Sequence, residues 1–241
     1  MNAGRYLYAL FVLSVTVLAG CGAPPGQPQK GRETLAPNEV LEFGTLYGQN
    51  CAACHGADGR GGAAIALGNP VYLAIADDTA MRAFVANGAR GTSMPAFAQA
   101  AGGMLTDKQI DALVGGIRAR WSRPGLLNGA NPPPYAAISP GNAQRGELAY
   151  GKYCESCHGS GGSGGPKGSA IANDAFLALV SDQGLRTIVI TGRPELGAPD
   201  WRGTSGRPMS DQDVTDVVAW LASRRVASPG QPYPGSNASP Q

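Results

Sequence analysis

The chain has 241 residues, room for one or two domains, and a net charge of only +2. No basic patch with interleaved aromatics is present, which excludes a nucleic-acid partner. Glycine (36) and proline (19) are abundant and aromatics make up 7%, so much of the chain is loop and any single core is small.

Residues 1–20 read as a signal peptide, with Arg5 as the positive region and 7–18 as an apolar stretch too short to span a membrane. The run Leu18-Ala19-Gly20-Cys21 resembles a bacterial lipobox, which implies acylation of Cys21 as the mature N-terminus. Ordinary secretion with Cys21 as an odd thiol, or an uncleaved anchor, are the alternatives. Residues 22–36 are polar and proline-rich, as a flexible tether would be; 21–36 is thus a lipidated cysteine plus tether.

Residues 37–121 form a first domain. A helix over 39–53 runs into Cys51-Ala52-Ala53-Cys54-His55. This C-x-x-C-H is the attachment signature of c-type haem: two thiols reach the two vinyl groups and the adjacent His ligates iron. A shorter helix is expected over 79–87, behind Asp78. Met94 follows in Ser93-Met94-Pro95, while Met81 and Met104 read as core residues. The last helix opens with the capping box Thr106-x-x-Gln109 and puts Ile110, Leu113, Val114 and Ile117 on one face.

Residues 122–141 are a Pro/Gly linker, stiffened by its proline triplet. Residues 142–226 repeat the pattern: a helix over 143–156 into Cys154-Glu155-Ser156-Cys157-His158, a helix over 183–191 behind Asp182, then Ser210-x-x-Asp213 before Val214, Val217, Val218 and Leu221. Residues 227–241 read as a disordered tail. The haem motifs are offset by 103 residues and the later parts by 104, so one residue is inserted after the second motif.

The chain has two His, both inside these motifs, so no further ligands exist to complete a zinc site. Four cysteines go to two haem c groups and the fifth is Cys21. Four ionised propionates would make the holoprotein mildly acidic. No acid/base pair, nucleophile–base set or phosphate loop is visible; the glycine-rich run 159–165 reads as a haem-wrapping loop.

Each half resembles class I cytochrome c: an N-terminal helix ending in C-x-x-C-H, a Met-bearing loop, and a C-terminal helix crossing the first. The resemblance implies an all-α fold of two tandem domains, with Cys51, Cys54, Cys154 and Cys157 binding haem covalently and His55 and His158 as proximal ligands. It also implies Met94 as the distal ligand of the first iron, and a backbone carbonyl accepting from each ligating His. Gly165-Pro166 could place that carbonyl in the second half; the first half offers no such signal. The family's small-against-aromatic helix crossing fits Gly146 and Trp220. In the first half the partners are exchanged, Phe43 and Gly116. Tyr47 and Tyr150 match the family's aromatic four residues before the first Cys.

The second half departs from the family at one place. The ungapped alignment puts Ala198 opposite Met94, and Ala cannot bind iron. Met209 aligns with Leu105; it is either a core residue or, after a loop rearrangement, the missing ligand.

Tandem domains resemble cytochrome c4-like carriers, and a lipid anchor resembles that of cytochrome subunits in respiratory complexes such as alternative complex III. The expectation is an exported, membrane-anchored electron carrier facing the periplasm or extracytoplasmic side of a bacterial envelope. Its partners would be redox proteins or a respiratory complex. The alternatives are small-molecule or peroxidase-like chemistry at the second haem, or an accessory docking subunit.

Overall fold

The computed structural model describes residues 35–204 and 206–227. The expected signal peptide, Cys21, the tether up to residue 34 and the tail from 228 lie outside the described residues. Residues 35–39 belong to an N-terminal unit, Met1–Glu39, where Pro37–Glu39 form one 3-10 turn closed by Glu39 N–H to the Ala36 carbonyl at 2.8 Å. A second unit begins at Val40 and contains both C-x-x-C-H motifs. Among the described residues there is no β-strand, only two isolated bridges, and no helix long and apolar enough to cross a membrane.

The first helix, α1 (Phe43–Asn50), starts later than its sequence suggests. Glu42 caps it, its carboxylate accepting from the N–H groups of Gly44 (2.7 Å) and Thr45 (2.5 Å). Cys51 then leaves helical geometry (φ −122°, ψ −36°) and a single turn, α2 (Ala52–His55), carries the motif. The later α6 (Ala143–Tyr153) and α7 (Glu155–His158) repeat the break at Cys154 (φ −121°, ψ −34°). The repeat is therefore conserved in backbone angles at the very residue that bears the first thiol.

Two short helices carry no periodic signal and escape a reading of sequence: α3 (Pro70–Ile75), and α8 (Asp174–Leu179). Each is capped by an asparagine, Asn69 or Asn173, whose side chain accepts from the first turn. Next come α4 (Asp78–Asn87) and α9 (Asp182–Thr191). Their caps are Asp77 and Ser181, one residue before the Asp78 and Asp182 expected, because those side chains receive the Ala80 and Gly184 N–H groups.

The C-terminal helices α5 (Asp107–Trp121) and α10 (Asp211–Ala222) open with complete capping boxes at Thr106/Gln109 and Ser210/Asp213. Their apolar faces, Ile110, Leu113, Val114, Ile117 and Val214, Val217, Val218, Leu221, are all buried. Both crossings follow the expected size matching. A Cβ at Gly116 would lie 2.1 Å from the Phe43 ring; one at Gly146 would lie 2.0 Å from the Asp216 carbonyl and 2.7 Å from Trp220 Cβ. Trp220 stacks on Tyr150 with centroids 4.4 Å apart, whereas Phe43, Tyr47 and Trp121 meet mostly edge-on at 5.1–5.8 Å. Met81 is core, but Met104 is 78% exposed, against expectation. It follows Gly103, whose backbone packs on Phe97, and an unbranched apolar side chain alone does not reveal which way that turn faces.

The halves share an interface. Val71 of α3 belongs to the second core, joined by Ile75 and by Leu126 and Leu127 of the linker. Burying one such side chain stabilises by ~1.5–3 kcal/mol. Asn69 is buried; besides capping α3, its amide donates to the Thr191 carbonyl at 3.1 Å. Arg193 donates to the Gly62 carbonyl at 3.0 Å. The linker is also fastened: buried Arg186 pairs with Asp211 and donates to the Pro134 and Tyr135 carbonyls.

Candidate haem sites

Each motif presents two cysteines and a histidine on one short turn. The four cysteines described are free thiols, none in a disulfide. Burial, then the charge of the neighbouring Cys54 or Cys157, pushes Cys51 and Cys154 up to about 11, so before attachment these two are protonated near neutral pH.

The histidines are oriented identically. His55 Nδ1 lies 2.8 Å from the Ile65 carbonyl and His158 Nδ1 lies 2.8 Å from the Ser169 carbonyl. A carbonyl can only accept, so Nδ1 carries the proton and Nε2 keeps its lone pair for iron. Burial pushes His55 below its ordinary value, against the opposing effect of the Ile65 bond, and so favours the neutral imidazole that iron ligation requires.

The Ser169 contact corrects the expectation for Gly165-Pro166: Gly165 instead donates to the Gly168 carbonyl at 2.9 Å and closes a turn that brings Ser169 over the ring. Ile65 and Ser169 are 104 residues apart, so the inserted residue lies before this point. The wrapping loops run close to the motif. A Cβ at Gly62 would fall 2.1 Å from the Cys54 carbonyl, so only glycine fits there. Tyr47 Oη donates to the Gly56 carbonyl at 2.8 Å and Tyr150 Oη to that of Gly159, pinning the chain as it leaves each histidine.

These residues fit haem c: two thiols, an imidazole with a fixed tautomer, and a close-wrapped loop, present twice. Among the described residues no group of three or more His, Cys, Asp or Glu is arranged to hold a bare metal ion.

The Met94 loop starts at Gly88 (φ +70°), which ends α4. Ala89 N–H donates to the Met94 carbonyl at 3.1 Å, and Thr92 Oγ1 accepts from Met94 N–H at 3.1 Å. The Met94 side chain is half-buried. The matching loop of the second half starts at Gly192 (φ +63°), and Arg193 N–H donates to the Ala198 carbonyl at 3.0 Å. Ala198 thus holds the backbone place of Met94. Met209 is elsewhere: its N–H donates to the Trp201 carbonyl at 2.8 Å, as Leu105 N–H does to Phe97 at 2.7 Å, and its side chain is buried in the core. Asn69 and Arg193, which join the halves, and the two carbonyl acceptors carry no signal in the residue pattern.

The sequence model of the family described as "Cytochrome C oxidase, cbb3-type, subunit III" matches twice, over residues 38–115 and 141–221. A curated relative, the cbb3-type cytochrome c oxidase subunit CcoP of Azospirillum sp. (strain B510), is 30% identical over 131 residues, covering 50% of this chain and 39% of the relative. This chain therefore matches about two fifths of that protein's length. Among solved structures, a chain of the Kuenenia stuttgartiensis reducing HAO-like protein complex is 17% identical with a TM-score of 0.44, covering 80% of this chain and 100% of that one. The thiosulfate dehydrogenase of Marichromatium purpuratum is 19% identical with a TM-score of 0.29, covering 81% and 48%. At these scores neither structure contributes to the assignment.

Proposed function

Because the chain belongs to the cbb3-type cytochrome c oxidase subunit III family and carries two haem c groups, we propose that it is a membrane-anchored di-haem relay. In this reading it moves electrons between redox partners at the extracytoplasmic face of a bacterial membrane. Cys51 and Cys54 hold the first haem and Cys154 and Cys157 the second; His55 and His158 bind the irons, and Met94 is the distal ligand of the first. The haem groups supply the one-electron ferric/ferrous couple. The chain supplies attachment, a fixed imidazole tautomer, and an interface that keeps both sites in one packed unit. The observation that carries the reading is the pair of Nδ1–carbonyl contacts, Ile65 and Ser169, each leaving an Nε2 lone pair beside two free thiols.

The lipobox-like run at Leu18-Ala19-Gly20-Cys21 supports anchoring through Cys21, and similarity to an oxidase subunit supports a respiratory complex as partner. Pyridine haemochrome assay and intact mass of the mature protein test the haem assignment: two covalent haems per chain are expected. One haem, or haem extractable into acid acetone, would overturn it. Cys21→Ser is expected to release the protein from membranes or block its maturation; a mature variant still on the membrane would refute the anchor.

A further inference from the structure

We infer that the second haem has no protein ligand on its distal side and binds a small exogenous ligand there, such as a diatomic π-acceptor on the ferrous iron. This rests on the proposed haem assignment and goes beyond it. Three observations carry it.

The first is register. In both halves a helix ends at a glycine with positive φ, Gly88 or Gly192, and the next N–H closes on the carbonyl of the residue in question, Met94 or Ala198. Pro95 and Pro199 follow, then Phe97 and Trp201, whose carbonyls receive the N–H groups of Leu105 and Met209. The two loops therefore correspond on both flanks, and the thioether of one is a methyl group in the other. A methyl group has no lone pair.

The second is that Met209 is committed elsewhere. It is 8% exposed, within the core that holds Trp201, and its neighbour Ser210 caps α10, receiving the Asp213 N–H at 3.1 Å. Bringing its sulfur to the iron would empty that core position and undo the cap.

The third is that the charged groups flanking Ala198 in this loop are engaged. Arg193 and Ala198 bond to each other in both directions at 3.0 Å, and Arg193 pairs with Glu195 while donating to Gly62. The Asp200 carboxylate is taken by Arg202. Lys152 sits over the Tyr153 ring at 4.4 Å, and Tyr153 Oη donates to Asp213. Both histidines are proximal candidates, Met81 is buried in the first core, and Met104 projects to solvent from the first half. Among the described residues no imidazole or thioether is left to take the place of Met94's sulfur; of the remaining amines, Lys108 stands on α5 of the first half and Lys167 on the loop that packs against His158, the proximal side.

The test is carbon monoxide titration of the reduced holoprotein, followed in the Soret region, with a haemochrome count on the same sample. One carbon monoxide per two haems is expected, abolished by Ala198→Met and kept by Met209→Leu. Met94→Ala is expected to double the stoichiometry by opening the first site. Absence of an adduct in the wild-type protein overturns the inference, as does an adduct that appears only in Met209→Leu. An adduct that survives in Ala198→Met with a newly formed thioether-to-iron charge-transfer band in the oxidised form would also overturn it. A haemochrome count of two alongside any of these leaves the haem assignment standing, so the two failures are distinguishable.

Discussion

Two adjacent glycines on α5 should respond to the same substitution with opposite signs. A Cβ at Gly115 meets nothing within 4 Å, so Gly115→Ala gains helix propensity, ~1 kcal/mol. A Cβ at Gly116 would lie 2.1 Å from Phe43 Cδ2 and 2.9 Å from its Cβ, well inside the ~3.5 Å at which carbon atoms ordinarily touch. Overpacking of this kind costs ~1–3 kcal/mol, which exceeds the propensity gain at all but its lower edge. The two variants should therefore differ by roughly 1–3 kcal/mol, or roughly 2–12 °C in melting temperature for a unit of this size. Thermal unfolding of the holoprotein by far-UV circular dichroism measures this. Phe43→Ala supplies the control: in that background the ring contacts are gone and only the Cβ contact at 2.9 Å remains, so Gly116→Ala should be clearly less destabilising than in the wild-type protein. Gly146 has no such escape, since its nearest neighbour is the Asp216 backbone oxygen at 2.0 Å. Trimming Trp220 will not rescue Gly146→Ala. Equal melting temperatures for Gly115→Ala and Gly116→Ala would refute the crossing as described.

Three further predictions follow from other parts of the molecule. Burial opposes the charge of Asp216, but the Arg145 fork, the Asn142 N–H and the Gln212 amide outweigh it and hold the carboxyl below the ordinary value. Its stabilisation is complete above the unfolded-state pKa and lost as pH falls through the depressed folded value. Asp216→Asn should accordingly flatten the acid limb of stability against pH and cost ~1–3 kcal/mol at neutral pH, and an unchanged acid limb would show that the pairing is inert. Asn69→Ala removes both the α3 cap and the Thr191 contact and should cost ~1–3 kcal/mol in denaturant unfolding; a midpoint within error of wild type would contradict the interface. Thioether ligation raises the potential of a haem, so redox titration should resolve two waves, the lower belonging to the second haem. Ala198→Met should raise only the lower wave, and movement of the upper one would reverse the assignment.

Much of this was legible in the residues because it is written in side chains. The two capping boxes, the buried faces of α5 and α10, and the exchange of Phe43 and Gly116 for Gly146 and Trp220 all depend on which side chain stands where. Features made by backbone were not legible. The carbonyls of Ile65 and Ser169 orient the histidines, yet any residue at those positions has a carbonyl. The helices α3 and α8 span six residues each, too few for a periodic apolar pattern to emerge. Met104 shows the limit from the other side: its composition argues for burial and only the path of the preceding turn decides. Packing of Val71 into the other half's core was invisible because the alignment treats the halves as equals.

That packing is not reciprocal. The second core takes Val71, Ile75, Leu126 and Leu127 from upstream, whereas among the described residues the first core draws nothing from beyond Tyr135 of the linker. The dependence therefore points one way along the chain. A polypeptide emerging N-terminus first would present a finished first half before the second emerged, and the later half would complete itself on a surface already in place. Deletion should be equally lopsided. Cutting the chain after the linker leaves the first core whole, while removing the first half strips the second of Val71 and Ile75 and of the Asn69 and Gly62 partners of Thr191 and Arg193, and taking the linker with it removes Leu126 and Leu127 as well. The duplication has become a sequence of assembly steps.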